Sequence, residues 1–340
     1  MVNKKTRDEI KQRILSSLEF TPLSVKQLSN KVESNWSTIN ECLEELKSEG
    51  YVKEIVSTEK LKIYLRVTGD TYYNLPITQD QRNLYRFLFS LAISEYKEQK
   101  KRIAKKTELA KIVVDIVNES KLDLPTVWYL YGQIPVMIAD PTRDYSTAFI
   151  PNEIDKIKKI LFEIVKKQNH ENTHKLKLDH YQKYSNSLYE IKENLLFELG
   201  ESRNKDRIIE LLNLFYVGCP NEYPDVFNYV ERLYSVSNKL VLEDALIKNK
   251  VKVIIALDSV WGIIATYKLI DSLSHYPLYS NKEEIVHYYL GQTLETKKNV
   301  AEEALVVLES IYLNILTPKE LEISEESIPA RQIMVDWTGE

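Results

Sequence analysis

The stretch that decides the fold of this chain runs from residue 23 to residue 55 and reads LSVKQLSNKVESNWSTINECLEELKSEGYVKEI. Near its start, Ser24 is followed three residues later by Gln27, which is the capping-box pattern that begins a helix. The apolar spacing then predicts a short helix over Val25–Val32. Upstream, apolar residues recur at helical spacing over Thr6–Leu18, with charged residues between them. The sequence therefore predicts an amphipathic first helix and a short second one.

A third helix and a β-hairpin are predicted directly after the second helix. Ser34 is expected to cap the third helix, and Gly50 is suited to the left-handed conformation that ends one. The apolar positions of this helix are Ile39, Leu43 and Leu46. Beyond Gly50 the hydrophobic period alternates, first in YVKEIV and then in LKIYLRV, with a polar turn at Ser57–Lys60 between them. This pattern predicts two antiparallel strands joined by a short turn.

Three helices followed by a hairpin, within about seventy residues, is the order of a winged helix-turn-helix domain. Residues 23–55, together with KIYLRVTGD at residues 62–70, resemble archaeal and bacterial winged-helix transcriptional regulators. The positions where that family keeps its core, its helix cap and the end of its wing are occupied by Leu28, Ile39, Leu43, Leu46, Gly50, Val52 and Thr68. Two features depart from the family pattern. The turn between helices two and three lacks its common Gly, and the wing turn STEK lacks a Gly or Arg.

The resemblance implies that the third helix enters the major groove of duplex DNA with its N-terminal residues at the base edges. The residues expected at the bases and nearby phosphates are Ser34, Asn35, Trp36, Ser37, Thr38 and Asn40. Further phosphate contacts are expected from Lys26 and Lys31 beside this helix and from Lys60 and Lys62 on the wing. Two alternatives stay open: the lysines form an ordinary solvated surface, and Trp36 packs against the second helix.

Composition indicates a mostly helical chain with more than one domain. The 340 residues exceed the usual size of a single hydrophobic core, and 44% hydrophobic with 28% charged residues is typical of a folded soluble protein. Only 8 Gly and 11 Pro leave few turns for a sandwich or a barrel. We therefore expect a winged helix (α+β) over residues 1–75, a larger all-α dimerisation or effector domain over 76–316, and an irregular tail over 317–340.

Charge, cysteine content and hydropathy restrict the setting of the protein. The net charge is -4, whereas residues 1–75 hold 12 Lys and Arg against 11 Asp and Glu, so the N-terminal part is the less acidic one. Cys42 and Cys219 lie far apart and suggest neither a disulfide framework nor a zinc site. The first residues lack an apolar signal segment, and Lys and Asp interrupt Val251–Leu269. We expect a cytoplasmic protein without membrane contact, in which that segment is a buried helix.

The rest of the chain shows helical periodicity with few motifs. Helical spacing covers Arg82–Val117, which contains the basic run Lys97–Lys106; this run is either an extension of a DNA footprint or a solvated helix end. Residues 123–136, DLPTVWYLYGQIPV, are punctuated by Pro and Gly and predict a packed connection between helices. Further helices are predicted over Ile154–Lys167, His180–Leu199, Lys205–Tyr216, Tyr223–Leu246, Lys250–Ser274, Lys282–Leu290 and Thr296–Leu316.

One motif of catalytic type occurs, the HExxH string HENTH at residues 170–174, with His180 at the spacing of a third zinc ligand. On a single helix its two histidines would share one face, and Glu171 would be the general base. However, the surrounding sequence is strongly polar, and Lys177 stands where such a zinc protease needs Gly. An exposed histidine-rich connection is therefore the favoured interpretation.

These observations favour a non-catalytic regulator of transcription that reads duplex DNA with its third helix and needs no cofactor. A homodimer is expected because such domains commonly read two half-sites, and the helical domain offers room for a protein partner. The first alternative is a winged-helix adaptor of a plasmid, virus or defence system. The second is a zinc-dependent hydrolase acting through the HExxH string. The sequence contains no P-loop, GxGxxG or GxSxG motif.

Overall fold

The structure of the chain is a computed structural model, and it describes residues 5–18, 22–57, 62–75, 77–168, 172–201, 204–220, 222–276 and 283–324. Helices account for most of these residues, and the strands are few and short. The prediction of a mostly helical chain with a small sheet near the N-terminus is confirmed.

The chain divides into two compact units. The first comprises Met1–Tyr184 with Thr266–Thr293, and the second comprises Ser185–Ala265 with Leu294–Glu340. The domain boundary expected at residue 75 lies inside the first of these units. Two long helices contribute residues to both units, since the divisions fall within them.

The first unit begins with three helices and a three-stranded antiparallel sheet. A strand of two residues precedes the second helix and pairs with the last strand of the hairpin, so the strand order is β1-β3-β2. The register places Leu23 opposite Tyr64 and Lys53 opposite Leu65. The elements are α1 Arg7–Ser17, β1 Leu23–Ser24, α2 Val25–Val32, α3 Trp36–Ser48, β2 Val52–Ser57 and β3 Lys62–Arg66.

Capping boxes fix where the first two helices begin. At α1, the side chain of Thr6 accepts from the N–H of Glu9, and the Glu9 carboxylate accepts from the N–H of Thr6. Ser24 and Gln27 make the same exchange at α2, as the sequence predicts. Each box satisfies N–H groups that a helix start leaves unpaired, and losing such a cap typically costs ~1 kcal/mol.

The start of α3 differs from the prediction, because Asn35 rather than Ser34 is its cap. The Oδ1 of Asn35 accepts from the backbone N–H of Thr38 at 2.8 Å. Glu33 takes the left-handed conformation with φ 54°, which ends α2 and leaves Asn35 as the last extended residue before α3. Glu33 thus takes a positive φ in the turn between α2 and α3, where no Gly is present. Gly50 has φ +78° just beyond the other end of α3, as expected.

The apolar faces of these helices and of the sheet meet in one core. The residues predicted from the sequence pattern to lie there are buried, and they are joined by Tyr64 of β3 and by Ile14 and Leu18 from α1 and its end. Removal of each such large apolar side chain from water contributes roughly 1.5–3 kcal/mol. The predicted core residues are Leu28, Ile39, Leu43, Leu46 and Val52.

Four helices and a hairpin follow within the first unit. The helical range predicted over Arg82–Val117 is divided into two helices, because Lys101 takes the left-handed conformation with φ 55°. Ile154–Lys167 has the predicted bounds. The elements are α4 Gln79–Lys100, α5 Lys106–Ser120, β4 Thr126–Tyr129, β5 Gly132–Pro135, α6 Ile154–Lys167 and α7 Thr173–Lys183.

Residues 123–136 form a β-hairpin, so the prediction of a packed connection between helices is wrong at this point. Strands β4 and β5 pair antiparallel, with Thr126 opposite Pro135. Val127 and Tyr129 of β4 are buried, in the alternation typical of a strand. Gly132 follows the two-residue turn with φ +91°, a conformation that glycine adopts without strain.

A buried lysine fastens this hairpin to α5. Lys111 is only 1% exposed, and its Nζ donates to the carbonyl oxygens of Tyr131 and Gln133, each at 2.8 Å. The same ammonium group lies 5.9 Å from the ring centre of Tyr181 on α7. Lys111 therefore joins α5, the hairpin turn and α7 through charge-assisted hydrogen bonds and a cation–π contact.

The segment between β3 and α4 is paired with the chain that follows β5. Backbone hydrogen bonds of 2.8 and 3.0 Å join residues 70–72 to residues 136–138, and Thr71 forms an isolated antiparallel bridge with Met137. One turn of 3-10 helix, Tyr72–Asn74, follows. The chain that follows β3 is thus held by backbone pairing to residues 136–138, which explains why the first unit extends past residue 75.

The second unit is built from helices around an aromatic centre. Trp261 is fully buried, and its ring meets Tyr189 edge-on at a centroid distance of 4.6 Å and Phe215 at 6.4 Å. Such contacts add to the apolar area that the rings bury. The helices are α8 Ser187–Gly200, α9 Lys205–Val217, α10 Pro224–Leu242, α11 Leu246–Ser274 and α12 Glu283–Ser324. Of α11 only the part up to Ala265 belongs to this unit, and of α12 only the part from Leu294 onward.

Helix boundaries in the second half of the chain differ from the prediction at two places. The range His180–Leu199 contains the end of α7 and most of α8, because Ser185 between them has φ 51°. The two helices predicted between Lys282 and Leu316 are one, α12, since a lone Gly291 does not end a helix. α12 also continues to Ser324, where an irregular tail was expected; residues 325–340 lie outside the described residues.

α11 is the one helix among the described residues that is long and apolar enough, by length and composition, to cross a membrane. Of its most apolar window, 67% is buried inside the protein. The prediction that Val251–Leu269 lies in a buried helix is confirmed. Burial of this extent is typical of a core helix in a soluble protein.

Candidate nucleic-acid interface

Helix α3 presents two different surfaces. Its buried face consists of Ile39, Cys42, Leu43 and Leu46, which pack into the N-terminal core. Its other face is accessible, and the accessible part begins at the first turn with Trp36 and Ser37. The spacing of the apolar residues, three and four apart, divides the helix in this way. The residues predicted to contact DNA therefore lie at an accessible helix start.

The exposed residues of this first turn are Asn35, Trp36 and Ser37. Trp36 is 58% exposed, which is more than a side chain packed against α2 would be, so the structure disfavours that alternative. Ser37 Oγ donates to Glu41 Oε1 at 3.3 Å, one turn further along. Asn35 uses its carbonyl oxygen as the helix cap, which leaves its amide N–H groups for a ligand.

The other predicted contacts of α3 are half-buried. Ser34 lies in the turn before the helix, and its carbonyl oxygen accepts from Ser29 Oγ at 2.5 Å. Thr38 and Asn40 are partly accessible. Asn40 Oδ1 is buried and has no hydrogen-bond partner among the described residues. Asn40 therefore keeps a side-chain acceptor without a partner, and that atom is enclosed in the protein instead of lying at the accessible surface.

The four predicted lysines divide into three cases. Lys26 and Lys31 are exposed on α2, which packs against α3. Lys62 is half-buried on β3, and its Nζ lies 3.9 Å from Glu44 of α3. Lys60 lies outside the described residues. Of the four, Lys26 and Lys31 are thus the ones that are both described and exposed.

Acidic residues of α3 that face α1 are neutralised by that helix. Lys11 lies 2.9 Å from Glu45 and 2.8 Å from Glu49, and Arg7 also contacts Glu45. Hydrogen bonds from Lys11 and Arg7 lower the pKa of Glu45 below its usual range. Glu41 lies 3.4 Å from Arg7. These carboxylates therefore balance cations of α1 instead of forming a free acidic surface.

The remaining carboxylate on this helix faces the sheet. Glu44 Oε1 accepts from the hydroxyl of Tyr64 at 3.2 Å and lies 3.9 Å from Nζ of Lys62, while its Oε2 lies 3.9 Å from Nζ of Lys47. Lys47 also donates to Glu54 of β2, and this hydrogen bond raises the pKa of Lys47. The acidic groups of α3 thus have partners on α1 and on the sheet, and Glu41 also accepts from Ser37 of the first turn.

The first turn of α3 contains no acidic residue. The N–H groups at the start of a helix are only partly satisfied, and the aligned peptide dipoles give that end a positive potential. An anion such as a phosphate is favoured at such an end. The start of α3 around Trp36 and Ser37 is therefore suited to an anion, and Lys26 and Lys31 are exposed on α2, which packs against α3.

The basic run Lys97–Lys106 forms the corner between α4 and α5 and is not part of one continuous helix. Arg102 is held by Glu108 at 2.5 Å and lies over the Tyr96 ring, and Lys106 lies 3.3 Å from Asp140. Arg102 and Lys106 thus have local electrostatic partners. Lys97, Lys101 and Lys105 are exposed.

The zinc motif does not have the helix on which its spacing depends. α6 ends at Lys167 and α7 begins at Thr173, and Asn172 between them is extended with φ -130° and ψ 155°. His170 and Glu171 lie outside the described residues, among which no group of three metal-ligand side chains occurs. The i, i+4 argument for a shared helical face therefore does not apply.

His180, expected as a third zinc ligand, is packed inside the first unit. It is 4% exposed, and its ring lies 4.7 Å from that of Tyr184. Burial, together with the charges of Lys111 and Lys183, lowers the pKa of His180 to about 2. Its Nε2 is buried and has no hydrogen-bond partner among the described residues. The imidazole is therefore neutral at physiological pH, and its surroundings are those of a side chain packed in a protein core.

Both cysteines are free and buried. Cys42 lies in the N-terminal core, and burial raises its pKa. Burial also raises the pKa of Cys219 to about 11. At neutral pH both side chains are thiols, which are poor nucleophiles compared with thiolates.

The ion pairs between α1 and α3 are a feature of this surface that was not predicted from the sequence. Their signal is present in the sequence: Arg7 and Lys11 are four residues apart, as are Glu41, Glu45 and Glu49. When two such helices pack against each other, the basic row of one can lie along the acidic row of the other. Knowing that α1 packs on α3 is what turns the two rows into pairs.

Comparison with protein-family models, curated proteins and solved structures finds no match for this chain. Its function is therefore inferred from the residues and the geometry described above.

Proposed function

We propose that this protein is a DNA-binding regulator of transcription, that its N-terminal unit of three helices and a sheet is a winged helix, and that α3 is its recognition helix. The order of elements and the antiparallel sheet support this proposal. In a winged helix the third helix lies in the major groove while the hairpin flanks it. The protein acts in the cytoplasm, without a cofactor and without catalysis.

The single observation that carries the proposal is the character of the first turn of α3. It is accessible and free of acidic residues, whereas the carboxylates of later turns are paired with cations of α1 and of the sheet. A duplex approaching this end meets helix N–H groups and the side chains of Ser37 and Asn40. Phosphates fix the position of the helix, and polar side chains of its first turn read the base edges.

The experiment that tests the proposal is fluorescence-anisotropy titration of a labelled duplex from the region upstream of the protein's own coding sequence. A scrambled duplex of the same length and composition is titrated beside it at several salt concentrations. We expect tighter binding to the upstream duplex and weaker binding to both as salt rises, because counterions are released on binding. Absence of binding to either duplex at low salt contradicts the proposal.

Replacing Lys26 and Lys31 together by Gln is expected to weaken binding to both duplexes by a similar factor. Two phosphate contacts are lost, so the slope of log K against log salt should become shallower by about 2. The preference for the upstream duplex should stay unchanged, because these side chains do not reach bases. Replacing Lys158, an exposed lysine of α6, by Gln is the matched control for removal of charge.

A protein-binding adaptor is the second candidate function, and the exposure of Trp36 favours it. Trp36 is 58% exposed, and Trp is enriched among the residues that dominate protein interfaces. Under this alternative, neither duplex binds. A Trp36→Ala variant then loses a protein partner while its unfolding transition stays where it is.

A further inference from the structure

The second unit carries a row of exposed apolar residues on α11. Val251 is 60% exposed and Ile255 is 48% exposed, although both lie in the most apolar helix of the chain. Ile247, one turn earlier, is 44% exposed. The opposite side of α11 is buried through Val253, Ala256, Leu257 and Val260. A helix that is apolar on its outer side as well as on its inner side has a surface suited to a partner.

Charged residues frame this row at a regular spacing. Lys248, Val251, Ile255 and Asp258 follow one another at intervals of three, four and three residues. This spacing places all four on one stripe of the helix, with a positive charge at one end, two apolar residues in the middle and a negative charge at the other end. We refer to these four residues as the α11 stripe.

The α11 stripe is complementary to itself when two copies run antiparallel. If Val251 of one copy lies opposite Ile255 of the other, then Lys248 lies opposite Asp258, and each of these pairs occurs twice by symmetry. A shift of the register that brings Val251 opposite Val251 instead places Lys252 opposite Lys250. It also moves Lys248 away from Asp258, so the attractive pair is lost. Charge thus selects the first register over the second.

Asp258 is held in position for such a contact. Its Oδ1 lies 3.1 Å from Nζ of Lys192 on α8, whose side chain is buried, whereas that of Asp258 is 53% exposed. Lys192 also lies 5.7 Å from the ring centre of Trp261. The ion pair with the buried Lys192 therefore fixes the position of the Asp258 carboxylate, and the exposed part of this carboxylate can bind a second cation.

We propose that the α11 stripe is the interface of a homodimer in which two copies of α11 pack antiparallel, with Val251 opposite Ile255 and Lys248 opposite Asp258. This dimer does not depend on what α3 binds. One stripe of this length buries less than the ~800 Å² per partner of a standard interface. The dimer is therefore expected to dissociate on dilution.

Sedimentation-velocity runs of the full chain over a range of concentrations test the dimer. The expected result is a mass that rises from monomer to dimer with concentration, and a Val251→Glu variant that stays monomeric throughout. Val217→Glu, at a 78% exposed apolar residue of α9, is the matched control and should dimerise like the wild type. A wild type that is monomeric at every concentration, or a Val251→Glu variant that still dimerises, overturns the proposal.

Disulfide trapping tests the register separately. A mixture of Val251→Cys chains and Ile255→Cys chains should form a crosslinked dimer under mild oxidation, because these positions lie opposite each other. Each variant alone should crosslink at least several-fold less. The native cysteines are buried and contribute little background. Efficient crosslinking of Val251→Cys alone contradicts the proposed register, whatever the outcome of DNA-binding experiments.

Discussion

Replacing Gly132 by Ala is expected to lower the free energy of unfolding of the first unit by about 3 kcal/mol. Gly132 has φ +91°, where an L side chain is strained. A Cβ built there lies 2.6 Å from Cε1 of Tyr181 and 2.8 Å from Nζ of Lys111. Both neighbours are buried, and Lys111 is fixed by two carbonyl oxygens, so neither can move aside without losing its own contacts.

Gly50→Ala is the control that separates the two causes. Gly50 also has a positive φ, +78°, but a Cβ there has nothing within 4 Å. Its substitution should therefore cost only the backbone strain, ~1–2 kcal/mol. Urea unfolding followed by circular dichroism measures both variants. Equal losses for Gly132→Ala and Gly50→Ala would mean that the contact of the hairpin with α5 and α7 is not as close as described.

Stability is expected to fall as pH decreases below 6.5 because of His180. In the unfolded chain this imidazole protonates near pH 6.5, whereas burial and the charges of Lys111 and Lys183 lower its folded pKa to about 2. Between these values the unfolded state binds one more proton than the folded state. The free energy of unfolding should therefore decrease by about 1.4 kcal/mol per pH unit from this residue alone.

Asp115 is the carboxylate that would stabilise a protonated His180, but it already has two other partners. Asp115 lies 3.9 Å from Nδ1 of His180, but its Oδ1 accepts from the hydroxyl of Tyr184 at 2.6 Å and lies 3.0 Å from Nζ of Lys183. A carboxylate balanced in this way gives little stabilisation to a second cation. The neutral imidazole is therefore the form that the folded state retains.

Unfolding measured between pH 5 and pH 6.5 for the wild type and for His180→Phe checks this expectation. Phe keeps a ring against Tyr184 and cannot titrate. The free energy of unfolding of the variant should therefore depend on pH less steeply than that of the wild type, by about 1.4 kcal/mol per pH unit. His275→Gln, at an exposed histidine, should behave like the wild type. The account of His180 is wrong if the pH dependence of His180→Phe matches that of the wild type.

The N-terminal elements could be predicted from the sequence because their signals are local. The box of Ser24 and Gln27, the left-handed Gly50 and the change from helical to alternating period each depend on residues a few positions apart. Strand β1 was not predictable in this way. It has two residues and exists only through its pairing with β3, which lies some forty positions further along the chain.

The errors of prediction share one physical cause. Lys101, Ser185 and Glu33 adopt left-handed conformations that break or end helices, although none of them is Gly. Tertiary contacts stabilise such residues against a local cost, and a single sequence does not reveal those contacts. The hairpin at residues 126–135 was missed for a similar reason: Pro and Gly mark its ends, but the buried Lys111 that holds it belongs to α5.

The sequence predicts where along the chain the candidate site lies, but not which of its side chains are already paired. Residue types at the start of the third helix indicate hydrogen bonding to DNA, and the structure leaves Trp36, Ser37 and Asn35 accessible there. That Asn35 rather than Ser34 is the cap depends on the left-handed Glu33 before it, and that Glu45 is paired with Lys11 follows only from the packing of α1 on α3.

The measurement that tests the central claim most directly is the affinity of Ser37→Glu for duplex DNA beside that of Ser48→Glu. Both variants add one negative charge to an exposed position of α3, the first at its N-terminal turn and the second at its last residue. An acid at the start of a helix is stabilising, so Ser37→Glu should stay folded. We predict that it binds the upstream duplex at least about tenfold more weakly than the wild type, a difference of ~1.4 kcal/mol, while Ser48→Glu changes little. Wild-type affinity in Ser37→Glu, or equal losses in both variants, would contradict DNA binding through the first turn of α3.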